Sequence, residues 1–232
     1  MFSNRFIMAP PIISKKVFSF LQQLNKNNHR EWFQENKDEF ITAQAEIKSF
    51  ALSLSGLLEH HDSIENTKVF RIYRDVRFSK NKTPYKTHFG IGFSRTKPAL
   101  RGGYYLHISP GDSFLACGFW NPDASDLFRI RKELEVSAST FREVIDTPSF
   151  KNVWGDLKGE ELKTCPKGFD KTHPDIDLLR KKQLIFTISF SDKEVTDSSF
   201  EEKVNQAIIA VRPFVDFMSE TLTTNLNGES VI

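Results

Sequence analysis

The stretch His88–Trp120, "HFGIGFSRTKPALRGGYYLHISPGDSFLACGFW", decides the fold. Phe89, Ile91 and Phe93 alternate with His88, Gly90 and Gly92, and Tyr104, Leu106 and Ile108 alternate with Tyr105, His107 and Ser109. A period of two is the signature of strands with one face buried. Strands are expected over 88–94, 104–109 and 114–120, and a further one upstream over Val69–Phe78. Their connections, "SKNKTPYK", "RTKPALRGG" and "PGD", are rich in turn residues and short enough to join antiparallel neighbours. A fifth strand is expected at Leu184–Phe190.

Helical periodicity flanks this run. Ser14 reads as the N-cap of a helix bearing Val17, Phe20, Leu21 and Leu24. Asn28-x-x-Glu31 resembles a capping box that opens a long helix, in which Phe33, Phe40, Ile47 and Leu54 recur every seven residues. Asp123 or Ser125 starts a helix through Ile145. Ser198-x-x-Glu201 caps a last one, which Pro213 should kink and after which the tail beyond Asn225 should fray. Helices, then strands, then helices describe an α+β fold: one antiparallel sheet of about five strands, with helices from both ends of the chain packed on it. No linker or repeat divides it, so a single domain over 1–232 is expected. Its parts are N-terminal helices (14–60), a strand-rich core (68–120), a helix (123–146), a loop-rich segment (147–182), and a strand with the C-terminal helix (184–225).

Charge is the second signal. The chain carries only +2, too little for a nucleic-acid coat. Between Lys68 and Arg101, however, ten Lys/Arg face Asp75 alone, a local +9 that leaves −7 for the remainder. If Val69–Phe78 is a strand, Phe70, Ile72, Val76 and Phe78 share the core face, and Arg71, Tyr73, Asp75 and Arg77 share the other. Arg74 breaks this alternation, so either a bulge re-aims it or a carboxylate holds it inside, because an unpaired buried guanidinium is too costly. Gly90 and Gly92 leave bare backbone on the polar face, against which something bulky can lie. The expected site is thus a glycine-floored depression ringed by Arg, Asp, Tyr, His and Ser.

At these residues the chain resembles a known family. Arg71-x-x-Arg74-Asp75-x-Arg77-Phe78-x-x-x-Lys82-x-x-Tyr85 looks like the signature of an uncharacterised, mainly bacterial family, Domain of Unknown Function 2461. The resemblance extends through "GGYYLHISP", "CGFWNPD" and "PKGFDKTHPDIDLLR". It implies one full-length domain and marks the arginine-rich turn as shared, but it supplies no activity.

Other constellations are weaker. Asp75, His88, His107 and His173 do not stand at metal-ligand spacing, so no metal and no cofactor are implied. Cys165 and His173 lack an oxyanion donor or orienting acid, and Cys117 sits in an apolar run. Gly90-x-Gly92 and Gly102-Gly103 lack the companions of a phosphate loop. No apolar run is long enough to cross a bilayer, and the first sixteen residues show no signal-peptide core, so a cytoplasmic protein without a membrane partner is expected.

Three functions compete. The favoured one is binding of a phosphate-containing or other anionic ligand by Arg71, Arg74, Arg77, Lys82 and Tyr85, with nucleic acid a less favoured partner. The second is an enzyme on such a ligand, with Asp75, His88 or His107 as candidate catalytic groups. Asp75 among arginines should have a depressed pKa, which leaves His88 or His107 as the base. The third is an interaction protein whose arginines are internal ion pairs.

Overall fold

The computed structural model describes residues 11–232, so the expectation about a leader segment lies, up to Pro10, outside the described residues. The alternation in 88–120 becomes three neighbouring strands: β2 (Phe89–Arg95), β3 (Gly103–Ile108) and β4 (Ser113–Phe119). With β1 (Ile64–Val69) and β5 (Leu184–Phe190) they form one antiparallel sheet in the order β1-β2-β3-β4-β5. Register places Phe93 opposite Tyr104, Leu106 opposite Leu115, and Cys117 opposite Phe186. These side chains, with Ile91 and Ile108, are buried in the core. A bulge interrupts β1 between Ile64 and Asn66, and Lys158 forms an isolated bridge to Ile185 on the outer side of β5.

Helices supply the other half of that core. α1 (Lys15–Lys26) is capped by Ser14, whose backbone N–H and hydroxyl also bind Glu46 of α3 (Lys37–Leu58) at 3.0 and 3.1 Å. Between them lies α2 (Arg30–Glu35). The seven-residue stripe Phe33, Phe40, Ile47 and Leu54 is buried as expected, but two helices carry it because the chain breaks at Asn36. The N-cap is His29 rather than Asn28, whose side chain is engaged elsewhere. α4 (Ala124–Ile145) starts at the Asp123 cap and bends at Ser137. The segment expected to be loop-rich contains two short helices, α5 (Pro148–Trp154) and α6 (Ile176–Leu179). After β5, the real capping box is Ser191/Glu194 on α7 (Asp192–Val195). The last helix, α8 (Phe200–Thr223), has Ser199 and not Ser198 at its N-cap position, with no side-chain cap bond because the Ser199 hydroxyl donates to Asp197, and it continues through Pro213. Glu201, expected in that box, is buried instead. The tail does not fray: Asn225 binds the Glu229 carbonyl at 2.9 Å, and Val231 binds that of Thr223 at 2.8 Å.

The largest departure is the expected strand over Val69–Phe78. The strand lies upstream, over Ile64–Val69, and its ladder with β2 closes at Val69 opposite Ile91 with one further bond from Phe70 N–H to the Gly90 carbonyl. Residues 71–87 form an irregular hairpin instead. Its arms meet where Arg74 N–H binds the Pro84 carbonyl (2.8 Å) and Lys86 N–H binds that of Ile72 (2.7 Å). Pro84 brings no N–H to extend a ladder there. Burial still alternates from Arg71 to Arg77, with Ile72 buried, Arg74 and Val76 half-buried and Arg71, Tyr73, Asp75 and Arg77 exposed, but it fails at Phe78, which is 97% exposed.

Candidate functional site

The hairpin is held against the elbow between α1 and α2. Asn28 accepts from Tyr85 N–H at Oδ1 (3.1 Å) and donates from Nδ2 to the Tyr85 carbonyl (3.0 Å), pairing like a strand residue. The Tyr85 ring stacks on Phe33 with centroids 4.0 Å apart, and Tyr73 leans on both rings. Tyr85 therefore anchors the hairpin with its ring, and burial raises its hydroxyl pKa.

This docking leaves a hollow of about 530 Å³ lined by Asn25, Asn28, Arg74, Thr83, Lys86 and His88, with Asp75 its only acid. Arg74 is neither bulged outward nor paired with a carboxylate. Half-buried, it donates from Nη1 to the Thr83 hydroxyl at 2.6 Å, and that hydroxyl donates to Asn81 Oδ1. Among the described residues no carboxylate lies within 4.0 Å of Arg74 or Arg71, and residues 1–10 contain no Asp or Glu. Asp75 is committed to Arg77, which grips it through Nε (3.0 Å) and Nη2 (2.7 Å) and holds its pKa below the usual carboxylate range. Lys86, also on the hollow, has its pKa lowered by burial and then by the charge of Arg71. Cationic donors thus face a cavity whose single acid is already neutralised.

Of the residues expected to bind ligand, Arg74 and Tyr85 line the hollow together with Asp75 and His88. Arg71, Arg77 and Lys82 lie outside it; Lys82 points its ammonium at the Val76 carbonyl (2.9 Å). Asn25, Asn28, Thr83 and Lys86 were not read as site residues. Asn28 resembled a cap, and only the tertiary docking of the hairpin exposes its role.

His88 and His107 meet on the far side of this wall, with ring centroids 4.1 Å apart. His107 accepts or donates at Nδ1 to the Tyr105 hydroxyl (3.2 Å) and stacks on Phe114 (4.6 Å). Burial first, then the charges of His107 and Lys86, push His88 down to about 4, and burial lowers His107 too. Both imidazoles are therefore neutral near pH 7. For His88 the unfolded chain binds a proton between its ordinary pKa of 6.5 and about 4 while the folded chain does not. Its contribution to stability is therefore present above 6.5 and lost as pH falls toward 4. His88→Gln is expected to lose less stability than the native chain when urea unfolding is compared at about pH 7 and about pH 4.5. Parallel losses would show that His88 does not carry the effect.

A depression lies over Gly92 with Tyr105, His107 and Ser94 around it. Arg74 and Asp75 line the separate hollow, however, no Arg or Asp among the described residues rings this one, and part of the expected floor is occupied from within. A Cβ on Gly90 would come 2.6 Å from the Tyr105 hydroxyl, so the bulky group there is the protein's own tyrosine. At Gly92 the edge of Phe70 lies 3.2 Å from such a Cβ. Beyond them a trough of about 540 Å³ opens along the sheet face opposite the core.

A five-stranded antiparallel sheet with helices on its buried face and a basic hairpin beside it define an α+β protein with a cationic hollow. The chain belongs to the family described as "Conserved hypothetical protein (DUF2461)", whose family model matches residues 16–217. No curated protein and no solved structure matches it. Among the described residues no helix is long and apolar enough to cross a membrane.

Proposed function

We propose that the chain binds a phosphate-containing or otherwise anionic small molecule in the hollow beside Arg74. The observation that carries this is a half-buried guanidinium whose only side-chain partner among the described residues is a neutral hydroxyl. A buried cation lacking an opposite charge is unfavourable, and an incoming oxyanion relieves that cost. Lys86 adds a second donor, and the size suits a compact ligand. A polymer is less suited, because the chain as a whole is nearly neutral. Of Arg71, Arg74 and Arg77 only Arg77 pairs with a carboxylate among the described residues, and that pair is exposed; the internal ion pair of the basic segment is Arg95 with Asp62.

Titration calorimetry with methyl phosphate tests this. Sub-millimolar affinity is expected at about 0.01 M salt, weakening several-fold at about 0.15 M as the screening length shortens from about 30 to about 8 Å. No heat at low salt would end the proposal. A second reading, enzymatic turnover with His88 as base, draws on its neutral imidazole at the edge of the hollow. Conversion of the bound compound would distinguish it from binding alone.

A further inference from the structure

The basic hollow and the sheet trough adjoin. His88 lines both. Lys86, on the hollow, holds its ammonium 5.9 Å from the centre of the Phe70 ring, which walls the trough. From His88 a run of rings leads across the sheet: His107 at 4.1 Å, then Phe114 stacked on His107 at 10° between planes. Tyr105 stands beside them, and Trp120, 63% exposed, forms the rim. Gly92 and Ala116 keep the floor low between these walls. Of these two neighbouring cavities, which share His88, one is cationic and polar and the other is built of aromatic faces.

We infer that the ligand is an aryl-bearing phosphate or similar aromatic anion, its charged group at Arg74 and Lys86 and its ring lying in the Phe70–Trp120 trough. This rests on the anion-binding reading above and adds the second half of the molecule. A ring suits the walls better than an alkyl chain, because aromatic side chains gain from stacked and edge-to-face contact beyond the burial of area. The Tyr105 hydroxyl, the Ser94 side chain and the free nitrogen of His107 put hydrogen-bonding groups on the trough, where heteroatoms of a ring can meet them. Charge complementarity at the adjoining hollow selects an anion as the occupant, and the size of each compartment suits a small molecule.

The test compares methyl phosphate, 2-naphthyl phosphate and 2-naphthol by calorimetry on the full chain. The aryl ester is expected to bind about 10-fold or more tightly than the methyl ester, a gain of the size aromatic stacking supplies, with 2-naphthol alone weaker than the aryl ester. Ala116→Leu fills the trough and Trp120→Ala removes its rim. Either should erase that gain and leave methyl phosphate affinity within about 2-fold. Trp120, being exposed, is the variant least able to disturb folding. Equal binding of the two esters would overturn the aromatic inference and leave the anion site standing. Binding of neither would remove both. A dimer in light scattering that Trp120→Ala dissociates would assign the face to a second copy of the chain, and would likewise overturn it.

Discussion

Arg95→Ala is expected to destabilise the fold by about 3–5 kcal/mol, the range for breaking a buried ion pair by removing one partner. Arg95 is fully buried on the core face of β2, on the side of the sheet away from the trough. Its Nε binds both oxygens of Asp62 at 3.0 and 2.9 Å, Nη1 binds the Val215 carbonyl and the Ser219 hydroxyl at 3.0 Å each, and Nη2 binds Asp216. Tyr104 donates its hydroxyl to Asp62 at 2.5 Å. One side chain therefore ties the sheet to the turn after α3 and to α8. Deleting it leaves the Asp62 carboxylate buried without its guanidinium, with the Tyr104 hydroxyl and the Ser63 N–H (2.8 Å) as close donors and Arg212 at 3.7 Å. In thermal unfolding the loss should appear as a midpoint lowered by roughly 6–20 °C. The double variant Arg95→Met with Asp62→Asn should recover much of it, since an apolar replacement of a buried pair is often close to neutral. A loss below about 1 kcal/mol for Arg95→Ala, the value typical of an exposed pair, would refute the structural role.

Arg74→Ala is expected to weaken methyl phosphate binding by about 10- to 150-fold, the worth of a charged hydrogen bond made in a partly dry site. Stability should change by no more than about 0.5 kcal/mol, because the bond lost within the protein is the one to Thr83. Arg74→Lys should restore part of the affinity, since it returns the charge without the planar fork. Arg77→Ala is the matched control: its guanidinium is exposed, outside the hollow and held by Asp75, so an effect of less than about 3-fold is expected. If Arg77→Ala abolished binding and Arg74→Ala did not, the ligand would sit on the outer face of the hairpin and the assignment of the hollow would fail.

The middle of the sheet was legible because apolar residues alternate there, so Phe89, Ile91 and Phe93 in β2 and Tyr104, Leu106 and Ile108 in β3 announce both strand and facing, whereas β1 over Ile64–Val69 carries no such pattern. The same alternation carried a signal that went unread. Arg95 follows Phe93 with the same parity and was bound to point inward, where Asp62 and Asp216 receive it. The hairpin failed for the complementary reason. "RIYRDVRF" alternates well enough to imitate a strand, but beyond Phe70 it leaves β2 and, among the described residues, its backbone pairs only at the single bridge of Tyr73 with Tyr85, where the hairpin docks on the α1–α2 elbow. Arg74 was legible as anomalous because it broke the pattern, yet its surroundings were not, since Asn25 and Asn28 come from a helix pair some fifty residues earlier. The trough depended on register, which the sequence could only imply; Gly92 opposite Tyr105 and His107 opposite Phe114 give it its walls.

A sheet with one uncovered face invites aggregation along its rims, where unpaired backbone can recruit another chain's strand. Here both rims are blunted. The bulge in β1 distorts the ladder at Asn66, and Glu65 and Lys68 place charges along that margin. On β5 the backbone of Lys158 occupies both the N–H and the carbonyl of Ile185. These devices shorten the free backbone edge on either side of a sheet whose aromatic face is, among the described residues, open to solvent at Trp120.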